Sequence, residues 1–254
     1  VRFERAESSL GNGEFERAIE EYRSVANDFG KTAYGPISLY KVASIYDRHL
    51  GDKPRAVEAY YTLYNIYPES VEAVEAVEAM AVIYSEAGNH AKAIDEYQWV
   101  LEKRPDRKEH YGYLIAMEYL QMNDFRQTRL ELRDLLGSLS VPAPPAPGGP
   151  LYELMVKIYY QTANSYYLES KNTEAINAYD DLISRYPGHP LSLEAKLNKA
   201  HILIEDELFE PALELLGALA EEYPNTETID SMIKLTKKRV REGPSLRRKK
   251  KWRR

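Results

Sequence analysis

The sequence predicts an all-α solenoid of about six helical hairpins closed by a capping helix. Two observations carry that expectation. Ala163, Tyr166, Ala175, Tyr179, Leu182 and Tyr186-Pro187 recur 37 residues later as Ala200, Leu203, Ala212, Leu216, Leu219 and Tyr223-Pro224. Small residues and aromatics in fixed columns at such an offset mark a helical repeat array. Tyrosine is also in excess, 21 residues against 5 Phe and 2 Trp. Its ring packs between helices while its hydroxyl reaches water or backbone at the edge, which suits a two-helix layer.

The hairpins can be followed in order. Phe3 to Leu10 reads as a remnant helix, Gly11-Asn12-Gly13 as a turn, and Phe15 to Phe29 as a second helix with Ala18, Tyr22 and Val25 on one face. The next hairpin opens at Gly35-Pro36, proline being well placed in a first helical turn. Leu39, Ala43 and Tyr46 form an apolar stripe at i, i+4, i+7. After the turn Leu50 to Lys53, Pro54 starts a helix with Ala56, Tyr60 and Leu63, stopped by Tyr67-Pro68 because proline disfavours helix in the residue before it. The third hairpin has Val77, Ala81 and Tyr84, then Gly88-Asn89, then Ala93, Tyr97 and Val100, and closes at Pro105. The fourth is less regular, with Ala116, Tyr119, Phe125, Thr128, Leu132 and Leu135. Beyond the sixth hairpin, Asn225-Thr226-Glu227 is a helix-start signal, and Ile229, Met232, Ile233 and Val240 give the single apolar face of a capping helix.

Between the fourth and fifth hairpins lies the Pro/Gly-rich stretch 141–150, an extended loop. Tyr119 to Tyr166, Thr128 to Ala175 and Leu135 to Leu182 each span 47 residues, and removing ten restores the offset of 37. The stretch therefore reads as an insertion in an inter-repeat turn, with one superhelix continuing across it. The expected organisation is repeats one to four in 1–140, the loop 141–150, repeats five and six with the capping helix in 151–242, and a tail in 243–254.

The charge is uneven. Lys234 to Arg254 holds 12 basic residues against Glu242 alone, a net +11, and the remainder carries −17. No apolar run approaches the roughly 18 residues that cross a bilayer. The absence of cysteine excludes disulfides, Cys-based zinc or thiol chemistry and a lipid-modified Cys in this sequence. A chain that begins at Val1 reads as a processed or truncated product. Five scattered histidines and the absence of Gly-rich phosphate or nucleophile motifs give no catalytic residues, no metal site and no cofactor.

The repeated columns resemble the tetratricopeptide repeat family over residues 1 to about 240. A small residue and an aromatic on each helix, then a closing proline, appear as Ala43/Tyr46/Ala56/Tyr60/Pro68, Ala81/Tyr84/Ala93/Tyr97/Pro105 and Ala163/Tyr166/Ala175/Tyr179/Pro187. The fourth unit departs, with Thr128 in the alanine column and no closing proline. The resemblance implies a right-handed superhelix whose concave groove binds a segment of a partner protein. The period of 35 to 38, longer than the family's usual 34 or so, is similar to bacterial envelope members: the lipoprotein subunit of the outer-membrane β-barrel assembly machine, and the periplasmic coordinator of the Tol–Pal system. That similarity implies a periplasmic or membrane-associated place, a cytoplasmic one being the alternative.

The family's groove is lined by the first helix of each hairpin. Counting from the aromatic column places Tyr40, Asp47, Arg48, Glu75, Glu78, Tyr113, Met117, Lys157, Tyr160, Asn164, Tyr167, Asn198 and His201 there, along with Val82, Glu86, Leu197 and Glu205. Tyrosine on a groove wall suits peptide recognition, the plain alternative being padding between repeats. Asn164 and Asn198 fall on the asparagine columns of the carboxylate clamp that the resemblance implies, but Tyr160 replaces its first lysine. Glu72, Glu75 and Glu78 form a slanting acidic stripe, either a solvated face or an attraction for a basic partner. The tail, Arg247, Arg248, Lys249, Lys250, Lys251, Trp252, Arg253 and Arg254, suits an anionic membrane surface or an acidic neighbour. Nucleic acid is disfavoured by the acidic body, and no small-molecule substrate is implied. The expected role is a non-enzymatic scaffold holding other proteins of a multi-subunit complex. The alternative is a structural subunit packing laterally in an envelope or motility assembly.

Overall fold

A computed structural model describes residues 1–139 and 145–242 of the chain. The described residues form thirteen α-helices and no strand. The first compact unit, Val1–Asp124, holds α1 (Arg2–Gly11), α2 (Phe15–Asp28), α3 (Tyr34–Ser44), α4 (Lys53–Ile66), α5 (Val71–Glu86), α6 (His90–Lys103) and α7 (Lys108–Gln121). The second unit begins at Phe125 and holds α8 (Phe125–Ser138), α9 (Pro150–Leu168), α10 (Asn172–Arg185), α11 (Pro190–Glu205), α12 (Phe209–Leu219) and α13 (Thr226–Glu242). Within each unit consecutive helices pack against one another, and α8 packs on α9, so the proline-rich segment lies inside the second unit.

The repeated columns explain this stacking. Ala6, Ala18, Ala43, Ala56, Ala81, Ala93, Ala116, Ala163, Ala175, Ala200 and Ala212 are all wholly buried, as is Thr128 in the irregular repeat. A methyl side chain lets two helix backbones approach closely, and the rings of Tyr22, Tyr60, Tyr97 and Tyr179 fill the space beside that contact. On α13 the face is Ile229, Met232, Ile233 and the buried Thr236, whose hydroxyl donates to the Met232 carbonyl at 2.7 Å. Val240, expected on that face, is instead 42% exposed.

Hairpin turns share one backbone pattern. Asn89 N–H donates to the Tyr84 carbonyl at 2.8 Å, and Lys171 N–H to the Tyr166 carbonyl at 2.9 Å. Each turn needs a left-handed residue, Gly88 at φ +73 in one and Ser170 at φ +60 in the other. Helix starts are capped where the sequence provides for it: Asp52 accepts from Arg55 N–H, Ser70 from Ala73 N–H, and Pro54 and Pro190 sit in first turns.

The second hairpin carries one more residue than its neighbours. Ala43 to Ala56 spans 13, whereas Ala81 to Ala93 and Ala163 to Ala175 span 12. The extra residue is absorbed as a π-helical turn, Ile45–His49, at the end of α3, with Leu50 N–H donating to the Ile45 carbonyl at 3.0 Å. Such turns insert a residue without breaking the helix. This one carries Asp47 and Arg48.

The alanine contact is testable on α6. Ala93 is wholly buried and Ala91 exposed. Ala93→Leu should destabilise the protein by about 1–3 kcal/mol through overpacking, whereas Ala91→Leu should stay within about 0.5 kcal/mol. Urea denaturation of the two variants measures the difference, and equal effects would contradict the column assignment.

Candidate protein-binding groove

In the first unit, α3 with its π turn and α5 set their outward residues along one open groove of about 520 Å³. Tyr40, Asp47, Arg48, Glu75, Glu78, Val82 and Glu86 line it, joined by Lys53, Ala79 and Ile83. Seven of the groove positions expected from the sequence therefore come together. Val82 is 42% exposed and Glu75 is open to water, while Tyr40 is half-buried against the Tyr60 ring at 5.7 Å. Burial raises the Tyr40 hydroxyl above its usual range, the nearby Arg48 opposing, so it stays a neutral hydrogen-bonding group.

Charges in the groove are partly committed. Lys53, which turn chemistry alone did not mark as a groove residue, bridges Asp47 at 2.8 Å and Glu86 at 3.1 Å. That pairing holds the Lys53 ammonium above its ordinary value. Glu78 lies beside the Tyr111 hydroxyl, which burial and that carboxylate push upward. Four carboxylates, Asp47, Glu75, Glu78 and Glu86, face two cations, Arg48 and Lys53.

On α7, Tyr113 and Met117 are half-buried. In the second unit Lys157 and His201 are exposed, while Tyr160, Asn164, Tyr167 and Asn198 are half-buried. The Asn198 amide is spent on tyrosines, donating to the Tyr160 hydroxyl at 3.2 Å and the Tyr179 hydroxyl at 3.3 Å. Asn164 donates to Gln161 at 3.2 Å. These bonds within the chain occupy the amides of both asparagines on the clamp columns, where the sequence had already departed from a clamp at Tyr160. Leu197, counted as a groove position, is buried in the core around Ala200 and Leu203, because it follows the apolar stripe of α11. The eight tail residues from Arg247 onward lie outside the described residues.

Two polar clasps escaped the sequence reading. Glu118 is buried and accepts from the Ser85 hydroxyl at 2.7 Å, with His90 Nδ1 also at 2.7 Å. Arg129 on α8 donates to Glu169 at 2.6 Å and to the Ser165 hydroxyl at 3.3 Å, with its guanidinium 4.2 Å from the Tyr166 ring centroid. Both join groups 28 or more residues apart, beyond any local pattern. Lys171 and Arg129 hold the Glu169 carboxyl below its usual range.

Residues 38–70 and 158–189 match the tetratricopeptide repeat family, at α3–α4 and α9–α10. No curated protein sequence matches the chain. Solved structures of similar fold include the C-terminal part of a tetratricopeptide repeat-containing protein from Cytophaga hutchinsonii, at 16% identity and a TM-score of 0.57, over 86% of this chain and 78% of that one. YrrB, a tetratricopeptide protein with an unusual peptide-binding site, is 15% identical with a TM-score of 0.53, over 84% of this chain and 97% of its own. The Naa15/Naa10 complex bound to HypK aligns at 13% identity and a TM-score of 0.63, over 92% of this chain and 38% of that one. At these identities the likeness is one of fold.

The Arg129 clasp gives a pH prediction. A depressed folded-state carboxyl contributes stability that is full above its unfolded value and is lost as pH falls through the folded one. Glu169→Gln should therefore be less stable than the parent at pH 7, with the gap closing below about pH 4. Arg129→Lys should not restore a planar, ring-stacked pair. Thermal melts between pH 3 and 7 test both, and a pH-independent gap for Glu169→Gln would contradict the charge pairing.

Proposed function

We propose that this array of tetratricopeptide repeats works as a non-enzymatic scaffold, holding an extended or helical segment of another protein in its groove. The observation that carries the reading is the convergence of Tyr40, Arg48, Glu75, Glu78 and Val82 on one open groove of about 520 Å³ in the first unit. Its walls combine a half-buried aromatic, an exposed valine and charges of both signs, the mixture that gives a peptide both contact area and register. The fold is a protein-interaction fold, and a neighbour of that fold, YrrB, has a peptide-binding site.

The assembly we favour is one of the bacterial envelope, periplasmic or membrane-associated. The repeat period of 35 to 38 supports this. The basic tail then reaches an anionic leaflet or an acidic neighbour.

A second reading, lateral packing in a larger structural assembly, draws on α13. There Leu235 is 58% and Val240 42% exposed, set among Lys234, Lys237, Lys238 and Arg241. Solution mass separates the two: a monomer of 29.2 kDa favours the scaffold, a concentration-dependent ladder the structural subunit.

Val82→Lys places an opposing charge on an exposed position of the carboxylate-rich groove without touching the core. It should leave the melting temperature unchanged and weaken capture of the partner about tenfold. Capture that survives Val82→Lys but fails in Leu235→Asp would transfer the function to the α13 face.

Removing residues 244–254 should leave thermal stability unchanged and abolish binding to vesicles containing anionic lipid. That binding should fade as salt rises, since exposed charges are screened beyond about 8 Å at physiological ionic strength. Equal vesicle binding by the truncated and full-length chains would remove the membrane role of the tail.

A further inference from the structure

The capping helix α13 packs on α12 through Ile229, Met232, Ile233 and Thr236. Among the described residues no helix follows to cover its other side. A capping helix keeps a repeat array soluble by turning a polar face outward. This one leaves Leu235 58% exposed. Beside it Lys234, Lys238 and Arg241 run along one side of the helix at i, i+4 and i+7, all open to water. Lys238 reaches Glu242 at 3.7 Å, whereas no ion pair involves Lys234 or Arg241 among the described residues.

The first-unit groove presents the converse surface. Glu75, Glu78, Val82 and Glu86 follow one side of α5 at i, i+3, i+7 and i+11, with Val82 42% exposed between the carboxylates. Carboxylates outnumber cations four to two along the lining, and no ion pair involves Glu75 among the described residues. Each surface is thus an exposed aliphatic side chain in a row of like charges, basic on α13 and acidic on α5. The rows also match in length, since Lys234 and Arg241, like Glu75 and Val82, stand about 10 Å apart along their helices. Over the whole chain, residues 1–233 carry −17 and residues 234–254 carry +11, which draws unlike ends of two copies together.

We propose that the first-unit groove of one copy receives the α13 face of a second copy, so that chains associate head to tail. This rests on the second reading, packing between copies, and makes a second copy the protein that the groove holds. Leu235 and Val82 share the apolar contact, flanked by the basic row on one side and the acidic row on the other. A lipid leaflet would satisfy the basic row but leave the acidic groove unmatched, whereas a second copy satisfies both. The two patches differ, so the contact is heterologous and propagates as an open chain or closes as a ring.

Sedimentation equilibrium at low salt, over a concentration series, tests this with two surface variants. Glu75→Lys/Val82→Lys makes the groove basic, and Lys234→Glu/Arg241→Glu makes the α13 face acidic. All four positions are exposed, so both variants should melt near the parent's temperature. The parent's mass should climb above 29.2 kDa with concentration and return to it as salt rises. Each variant alone sets like charge against like and should associate at least about tenfold more weakly. An equimolar mixture of the two restores opposite charges at every contact and should associate like the parent. If the variants associate like the parent, or the mixture stays as weak as its components, copies meet elsewhere, and the proposal is overturned while packing between copies stands. If the parent is monomeric throughout, the proposal and the packing reading fall together. In that case, loss of binding to vesicles of phosphatidylcholine and phosphatidylglycerol by Lys234→Glu/Arg241→Glu would assign the α13 face to lipid instead.

Discussion

Close approach of paired helices at the alanine columns is the constraint from which the architecture follows. A helix meets its neighbour at short range where side chains are small. Wherever such residues recur along the array, they are wholly buried. Once the backbones are that close, an aromatic one turn away fills the remaining space, which is why tyrosine repeats with the alanine. Thr128 stands in the same column and is also wholly buried, with two more side-chain heavy atoms than alanine.

Turn geometry then decides which side chains face outward together. The shared left-handed residue in each turn fixes the angle at which a second helix leaves the first. Glycine adopts it freely, as at Gly88, whereas Ser170 adopts it at the expense of local strain. The π turn at Ile45–His49 takes up the extra residue of its hairpin and carries Asp47 and Arg48. Those residues join the α5 carboxylates along one groove.

Tyrosine links packing to polar pairing here. Its ring satisfies the core while its hydroxyl calls for a polar partner, which a nearby helix supplies in several places. Asn198 does so for Tyr160 and Tyr179, Glu194 for Tyr223 at 2.6 Å, and Glu7 for Tyr22 at 2.5 Å. The Tyr60 and Tyr186 hydroxyls find no such partner and are buried unpaired.

Helix number, hairpin boundaries and the buried face of nearly every helix were legible in the sequence. They depend on i to i+4 spacing, turn residues and capping, all of which are local. The gathering of Tyr40, Asp47, Arg48, Glu75 and Glu78 was legible for the same reason, since a repeat fixes which positions face outward. Leu197 and Val240 were not, because burial at those positions depends on the neighbouring helix rather than on their own helix's pattern. The extra residue between Ala43 and Ala56 was visible in the spacing, but only the folded backbone shows that it becomes a π turn. The clasps at Glu118 and Arg129, and the contrast between Tyr60 and Tyr179, join residues 19 to 40 positions apart through individual atoms. The sequence by itself determined the repeat, because a repeat is a statement about local periodicity. Which buried hydroxyl is paired and which is left open was decided by the tertiary structure alone, because a hydrogen bond depends on ångström-scale distances between helices that no periodicity encodes.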